Sequence, residues 1–580
     1  MELATGFESI SRDGWRALAV EVLRKSGIET EAPEEALSTA TYDGVTVAPL
    51  YDLDDLPGDP GLPGEAPYVR GARGTPGWDV RQRHAVADPE AVLADLENGV
   101  TSLWLVVGDG AIPVDALGAV LKDVYLDLAP VVLEAGDRVR EAAEVLFGRG
   151  SAVRGNLGAS AVGGPGLELA RRCVDGFPGL GAVTVDATPY HDAGGGDAEE
   201  LGCSIAQGVA ELRALTDGGL SVEQALGQIE FRYAATADQF ATIAKLRAAR
   251  RLWARVAEVC GTVGGAAGHG GQRQHAVTSS AMMTARDPWV NMLRTTLACF
   301  AAGVGGAEAV TVQPFDACLG LPDAFSRRIA RNTQALLLEE SGLGRVIDPA
   351  GGSWYVERRT ADLAERAWAW FQEIEAAGGI TRAAGLVADR IAATRARRAD
   401  DVAHRRLPIT GVSEFPNVHE KPVRPPTPAQ AASETGGLPR VRYAEEFEAL
   451  RDLADARPER PTVFLATIGP VAAHTARAAF AANLFQAGGL DTETAGPGAD
   501  PEQIATAFAV SGASVACLCS TDKLYAQHAA AVAAALRKAG ARKVWLAGKG
   551  EYEGVDGNLY AGCDALAVLR ETFDDLEVTR

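Results

Sequence analysis

Between residues 78 and 345, short β-rich runs alternate with longer stretches of helical period. That alternation leaves few folds open, because parallel strands must be joined by crossover helices. Strands are expected at 78–83, 102–107, 130–134, 151–155, 182–188, 228–233, 274–279 and 308–313. Eight consecutive β/α units predict a closed barrel of the TIM (β/α)8 type. The clearest helix covers 236–259, where Phe240, Ala244, Ala248, Leu252 and Val256 share a stripe. Lys245, Arg250, Arg251 and Arg255 are expected to fall largely off that stripe.

Beyond the barrel, an arginine-rich helical stretch at 382–406 reads as a solvated helix face or a partner contact. Pro416, Pro422, Pro425, Pro426 and Pro428 then mark an extended linker that continues to about Pro439. A second α/β alternation follows, with strands expected at 462–467, 491–495, 514–520, 543–547 and, weakly, 565–568. Its helices are expected at 473–487, 501–511 and 524–539. This pattern predicts a small doubly wound, flavodoxin-like domain, with a ligand crevice beyond the carboxyl ends of its first and third strands, at loops 468–473 and 521–524. Near the N-terminus, Ser11 can cap a helix bearing Trp15, Leu18, Val22 and Leu23 on one face, with Gly27 placed to end it. The expected division is an N-terminal arm (1–40), a barrel domain with a helical extension (41–410), a linker (411–460) and the small domain (461–580).

At 580 residues the chain has room for both domains, and 47% hydrophobic content excludes wholesale disorder. A formal net charge of −22 argues against binding nucleic acid or an anionic membrane through bulk charge. Eight scattered cysteines show neither disulfide-scaffold nor zinc-ribbon spacing, so a reducing cytoplasm is expected and no metal site. Cys517 and Cys519 read as core thiols on one strand face. The first residues lack the charge and apolar pattern of an export signal, and no apolar run approaches the roughly 18 residues of a membrane span. Gly548-Lys549-Gly550 and Gly305-Gly306 read as turns, since neither has phosphate-loop spacing.

Several ordered motifs carry a family likeness. Arg273-Gln274-His275-Ala276-Val277-Thr278-Ser279, Asp287-Pro288-Trp289, Leu319-Gly320-Leu321-Pro322, Arg331-Asn332-Thr333-Gln334 and Asp348-Pro349-Ala350-Gly351-Gly352-Ser353 resemble the cobalamin-dependent acyl-CoA mutases. Thr41-Tyr42-Asp43-Gly44-Val45 and Ala244-Lys245-Leu246-Arg247 extend the resemblance over most of 41–357. It implies a barrel that admits acyl-CoA, capped by a domain supplying adenosylcobalamin. The implied reaction is a radical isomerisation between methylmalonyl-CoA and succinyl-CoA, in which the cofactor does the hard chemistry and the protein positions and shields.

The chain departs from the catalytic pattern of that family. The cobalt-ligating D-x-H-x-x-G motif falls on Val471, Ala473 and Ala476, so no cobalamin binding is expected. His474 lies one position off, without an Asp or Glu between 461 and 490 to orient it. The tyrosine-bearing insertion that guards the radical is missing from Arg70-Gly71-Ala72-Arg73-Gly74-Thr75-Pro76-Gly77-Trp78. His275 matches the histidine that binds the substrate carbonyl, but its supporting residues are replaced, and it reads as a vestige rather than a catalytic group. The sequence therefore resembles the shorter, non-catalytic chain of heterodimeric family members. Its expected role is to stabilise a catalytic large subunit that binds the cofactor and the acyl-CoA. The alternatives are a divergent mutase active in its own right through His275, and an acyl-CoA-binding regulatory protein without cobalamin.

Overall fold

The computed structural model describes residues 10–262, 270–425, 427 and 436–577. Eight parallel strands close into a barrel: β1 (Asp79–His84), β2 (Ser102–Val106), β3 (Val131–Glu134), β4 (Gly155–Ala159), β5 (Leu180–Asp186), β6 (Ile229–Ala235), β7 (Arg273–Thr278) and β8 (Ala309–Thr311). Each strand pairs with the next, and β8 closes on β1 with Ala309 opposite Asp79. The expected barrel is thus present.

One strand is displaced from its expected place. The strand expected at 151–155 ends where β4 begins. Gly155 instead enters the sheet at φ 133°, and a register shift follows between Asn156 and Ala159. Glycine in a strand often marks such close backbone approach.

Helices α1 (Arg12–Lys25), α2 (Asp197–Asp217), α3 (Gln239–Val259), α4 (Trp354–Ala376) and α5 (Ala384–Ala403) frame the regions that matter for function. Ser11 caps α1 by accepting a hydrogen bond from the Gly14 amide, and Gly27 takes a positive φ just past its end. Of the expected apolar face of α1, Leu23 is buried while Leu18 and Val22 stay more than half exposed. Helix α3 is covered well beyond that stripe: Lys245 and Arg250 are enclosed with Arg247, while Phe240 of the stripe is partly exposed. The helix packs on the barrel and against α4, so two of its faces are covered. Within the arginine-rich stretch, Arg398 of α5 is also buried and donates to the Gly194 and Gly195 carbonyls.

The smaller domain contains β9 (Thr462–Thr467), β10 (Asp491–Thr494), β11 (Val515–Cys519), β12 (Lys543–Ala547) and β13 (Gly557–Leu559). They form one parallel sheet ordered β10-β9-β11-β12-β13. The weak strand expected at 565–568 is helical, because Asp564 caps a helix over Ala565–Asp575 by accepting from the Ala567 amide. The fifth strand is Gly557–Leu559. One sheet face packs around Leu484, Phe485, Leu569 and Phe573, and the other around Ile504, Phe508, Val532 and Leu536.

Helix α6 (Glu445–Asp455) lies within the stretch read as linker and ties the two domains together. Its Phe447, Leu450 and Ala454 join the core of the small domain. Its Glu448 accepts from the backbone amides of Ala285 (2.6 Å) and Arg286 (3.1 Å) in the barrel loop after β7, and from Arg442. Among the described residues, no helix is long and apolar enough to cross a membrane.

Candidate functional site

Alternate side chains of a barrel strand point inward, and ordinary barrels fill the interior with layers of branched aliphatic residues. This lumen is instead charged and polar. Arg81 of β1 donates to Ser102 (3.0 Å) and reaches across to Glu230 of the non-adjacent β6 (2.7 Å). One layer higher, Arg232 of β6 pairs with Asp186 of β5 at 2.8 Å, and its Nε donates to His275 Nδ1 at 3.2 Å. The Arg232 guanidinium also lies 4.1 Å from the ring centroid of Trp104, and Arg83 lies 5.0 Å from it. The His275 ring meets Trp104 edge-on at 5.3 Å.

These contacts decide the state of His275. Its Nδ1 accepts from Arg232, so the proton sits on Nε2, which donates to Thr311 Oγ1 at 2.8 Å. Burial first, then the Arg81 and Arg232 charges, hold its pKa well below the ordinary value. The imidazole is therefore neutral and has both nitrogens engaged within the protein. Sequence reading found His275 but not Arg232, Trp104 or Glu230. Their signal was present as charged and aromatic residues at inward positions of strands otherwise apolar.

Two cavities open at the carboxyl end of the strands, where barrel proteins place their sites. The larger, about 870 Å³, is bounded by Glu134, Ser160, Asp186, Tyr190, Glu211 and Arg232. The smaller, about 390 Å³, is bounded by Arg83, Trp104, Thr278, Ser279 and Gln313, with Arg440 and Arg442 above. The segment carrying those two arginines crosses the barrel mouth. Val441 N donates to Asp192 O at 2.8 Å, Tyr443 N donates to Ala281 O at 2.9 Å, and Arg440 pairs with Asp192 at 3.1 Å.

Beside the mouth lies a buried cluster that sequence reading missed. Lys245 Nζ is 2.7 Å from Glu200 and 2.9 Å from Asp197, and His191 Nε2 is 2.6 Å from Ser279 Oγ. Burial opposes the Lys245 charge, but Asp197 and Glu200 outweigh it and raise the lysine's pKa. Burial, reinforced by Lys245, lowers His191 to about 3, so its ring is neutral.

In the small domain, the loops at the ends of β9, β10 and β11 are held together by hydrogen bonds. Ser520 Oγ donates to Ile468 O at 2.7 Å, and Gly469 and Gly498 exchange backbone hydrogen bonds. The Leu524 side chain occupies the space where a Cβ on Gly469 would project. Helix α7 (Val471–Ala487) starts directly after this loop, with Val471 mostly exposed. His474, in its first turn, is buried and neither ring nitrogen has a hydrogen-bond partner. The Cys517 and Cys519 thiols are enclosed, with their sulfurs 4.0 Å apart. Among the described residues, no three His, Cys, Asp or Glu side chains converge as a metal site.

Fold and lumen together define a two-domain α/β-barrel protein with a polar barrel interior and a parallel-sheet domain clamped to its mouth. The family model for methylmalonyl-CoA mutase matches residues 167–467. The chain is 57% identical to the methylmalonyl-CoA mutase small subunit of Streptomyces virginiae, over 100% of this chain and 98% of that protein. It is 46% identical to a probable methylmalonyl-CoA mutase small subunit of Mycobacterium tuberculosis (strain ATCC 25618 / H37Rv), over 93% and 92% of the two chains. Identity to the methylmalonyl-CoA mutase small subunit of Propionibacterium freudenreichii subsp. shermanii is 39%, over 100% and 97%. The chain belongs to the methylmalonyl-CoA mutase family.

Proposed function

We propose that this chain is the non-catalytic small subunit of a heterodimeric, cytoplasmic methylmalonyl-CoA mutase, an isomerase whose large subunit binds adenosylcobalamin and the acyl-CoA. The reading takes residues 461–580 as a degenerate cobalamin-binding domain of flavodoxin-like type, reached from the barrel domain (41–410) through 411–460. Its sheet order, with the first strand between the second and third, supports that assignment.

The observation that carries the reading is the start of α7. Val471, Ala473 and Ala476 stand where the family motif has its Asp, its cobalt-ligating His and its Gly, and the alanine at the histidine position has no side-chain lone pair to offer a metal. The His474 imidazole is buried without a carboxylate or carbonyl to orient it. Leu524 packs against Gly469 in the loop that opens onto the crevice. These residues do not fit a cobalamin. The isolated chain is therefore expected to leave the visible spectrum of adenosylcobalamin unchanged at micromolar concentrations. A spectral change indicating histidine coordination would return the chain to the catalytic class.

The role left to such a subunit is assembly. Exposed apolar stripes commonly mark interfaces, and α1 leaves Leu18 and Val22 largely uncovered beside an exposed Ile10. In this reading the N-terminal arm, residues 1–40, reaches the catalytic partner. Removing residues 1–27 is expected to weaken heterodimer formation while circular dichroism shows the remaining chain still folded. Undiminished association in sedimentation velocity would remove the arm from the interface.

A further inference from the structure

The turn at 41–45 joins two short antiparallel strands, Thr39–Ala40 and Thr46–Val47, and roots the N-terminal arm on the barrel domain. Three helices hold it. Arg397 of α5 donates to Tyr42 O at 2.8 Å, and the Tyr42 hydroxyl donates to Asp401 of the same helix at 2.7 Å. Arg398 lies over the Tyr42 ring at 4.5 Å, and Arg366 of α4 donates to Gly44 O at 3.1 Å. The contact with α2 is of another kind: the Asp43 carboxyl accepts from the Ala198 amide, in the first turn of that helix, at 2.7 Å.

A helix N-terminus favours a negative charge, but this one is already crowded with them. Its first turn carries Asp197, Glu199 and Glu200. Glu199 accepts from Thr394 and lies 3.6 Å from Arg390, while Asp197 and Glu200 share Lys245. Arg398 spends its donors on the Gly194 and Gly195 carbonyls, and His191 is neutral. Among the described residues, no cation forms an ion pair with Asp43. Three carboxyls around one lysine cannot all ionise without uncompensated charge, and Asp43, supported by a single amide, is the one that keeps its proton.

We propose that Asp43 is a proton-operated latch: with its carboxyl neutral it holds the turn on the head of α2, and on ionising it lets the turn go. The latch belongs to this chain alone and does not depend on the small-subunit reading. Under that reading, it would make the freedom of the arm depend on pH. Burial first, then the Asp197 charge, raise the Asp43 carboxyl from 3.8 to about 7. Docking therefore takes up a proton, so it weakens as pH rises above the ordinary carboxyl value and levels off beyond about 7. Between pH 6 and pH 8 the docking equilibrium is expected to fall about tenfold. Glu200 is also raised to about 7, by burial first, but its bonds run to Lys245 of α3 and the Ala234 amide of β6.

The test reads release of the turn. Val45→Cys places a thiol at a residue 4% exposed in the docked turn, and the full-length chain is treated with a small methanethiosulfonate reagent from pH 6 to pH 8. Modification is followed peptide by peptide by mass spectrometry. Exposed Cys260 corrects for thiol ionisation, and buried Cys173 reports unfolding. The rate relative to Cys260 is expected to rise about tenfold over this range while Cys173 stays slow. Asp43→Asn, which keeps an acceptor for the amide and cannot ionise, is expected to hold the ratio flat. A flat ratio with Asp43 in place overturns the proposal. So does a rise that persists with Asp43→Asn, which would assign the titration to another group such as Glu200.

Should Asp43→Asn expose Cys173, the unaltered chain decides. Hydrogen exchange at the Ala198 amide, corrected for its intrinsic rate, is expected to follow the same profile, and equal protection at pH 6 and pH 8 overturns the latch. None of these readouts needs a partner or a cofactor, so the latch and the small-subunit reading stand or fall separately.

Discussion

Replacing Lys245 with methionine is expected to destabilise the chain by about 3–5 kcal/mol, the usual range for breaking a buried ion pair from one side. The Lys245 side chain is fully enclosed, as is Glu200, and Asp197 also bonds to it. Its removal strands two carboxylates, with Asp43 close enough to add repulsion; burial, then the Asp197 charge, already pushes Asp43 up to about 7. The measurement is the urea midpoint at unchanged slope. Adding Glu200→Gln should recover part of the loss, because one of the stranded charges goes with it. Arg255→Ala, on the exposed face of the same helix, should stay within about 0.5 kcal/mol. Equal losses for Lys245→Met and Arg255→Ala would show that the buried pairing contributes nothing beyond helix packing.

Gly155→Val should be nearly as damaging, at about 3 kcal/mol or more, from overpacking and backbone strain together. A Cβ at residue 155 would fall onto the Val131 carbonyl oxygen on the neighbouring strand, and φ 133° is a region that side-chain-bearing residues rarely enter. Soluble yield and the thermal midpoint both report the outcome. A variant that melts with the parent would mean that β3 and β4 can separate locally without affecting the barrel.

These two sites also mark what the sequence could and could not disclose. Where strands alternate with amphipathic helices and turn residues bound them, the reading was close: 462–467, 501–511 and 543–547 match their elements residue for residue. It failed at 151–155, whose last residue, Gly155, opens the strand instead, since only the neighbouring strand explains why a side chain is forbidden there. It failed again at 565–568, where apolar residues suit strand or helix equally and the Asp564 cap decides. On α3 the burial of Lys245, Arg247 and Arg250 could not be read from the stripe, because their partners Glu200, Asp348 and the Gly305 carbonyl come from distant parts of the chain. The family likeness located His275 by motif. Its tautomer and its two occupied nitrogens depend on Arg232 and Thr311, which lie 43 and 36 residues away and meet it only when the barrel closes.

The Glu448 clamp has a mechanical consequence. Its carboxylate joins a helix rooted in the small domain to the loop that directly follows the strand bearing His275. The small domain is therefore a lever arm with its fulcrum at 285–286. A tilt of the small domain would pull on the backbone amides of 285–286, a few residues beyond the end of β7.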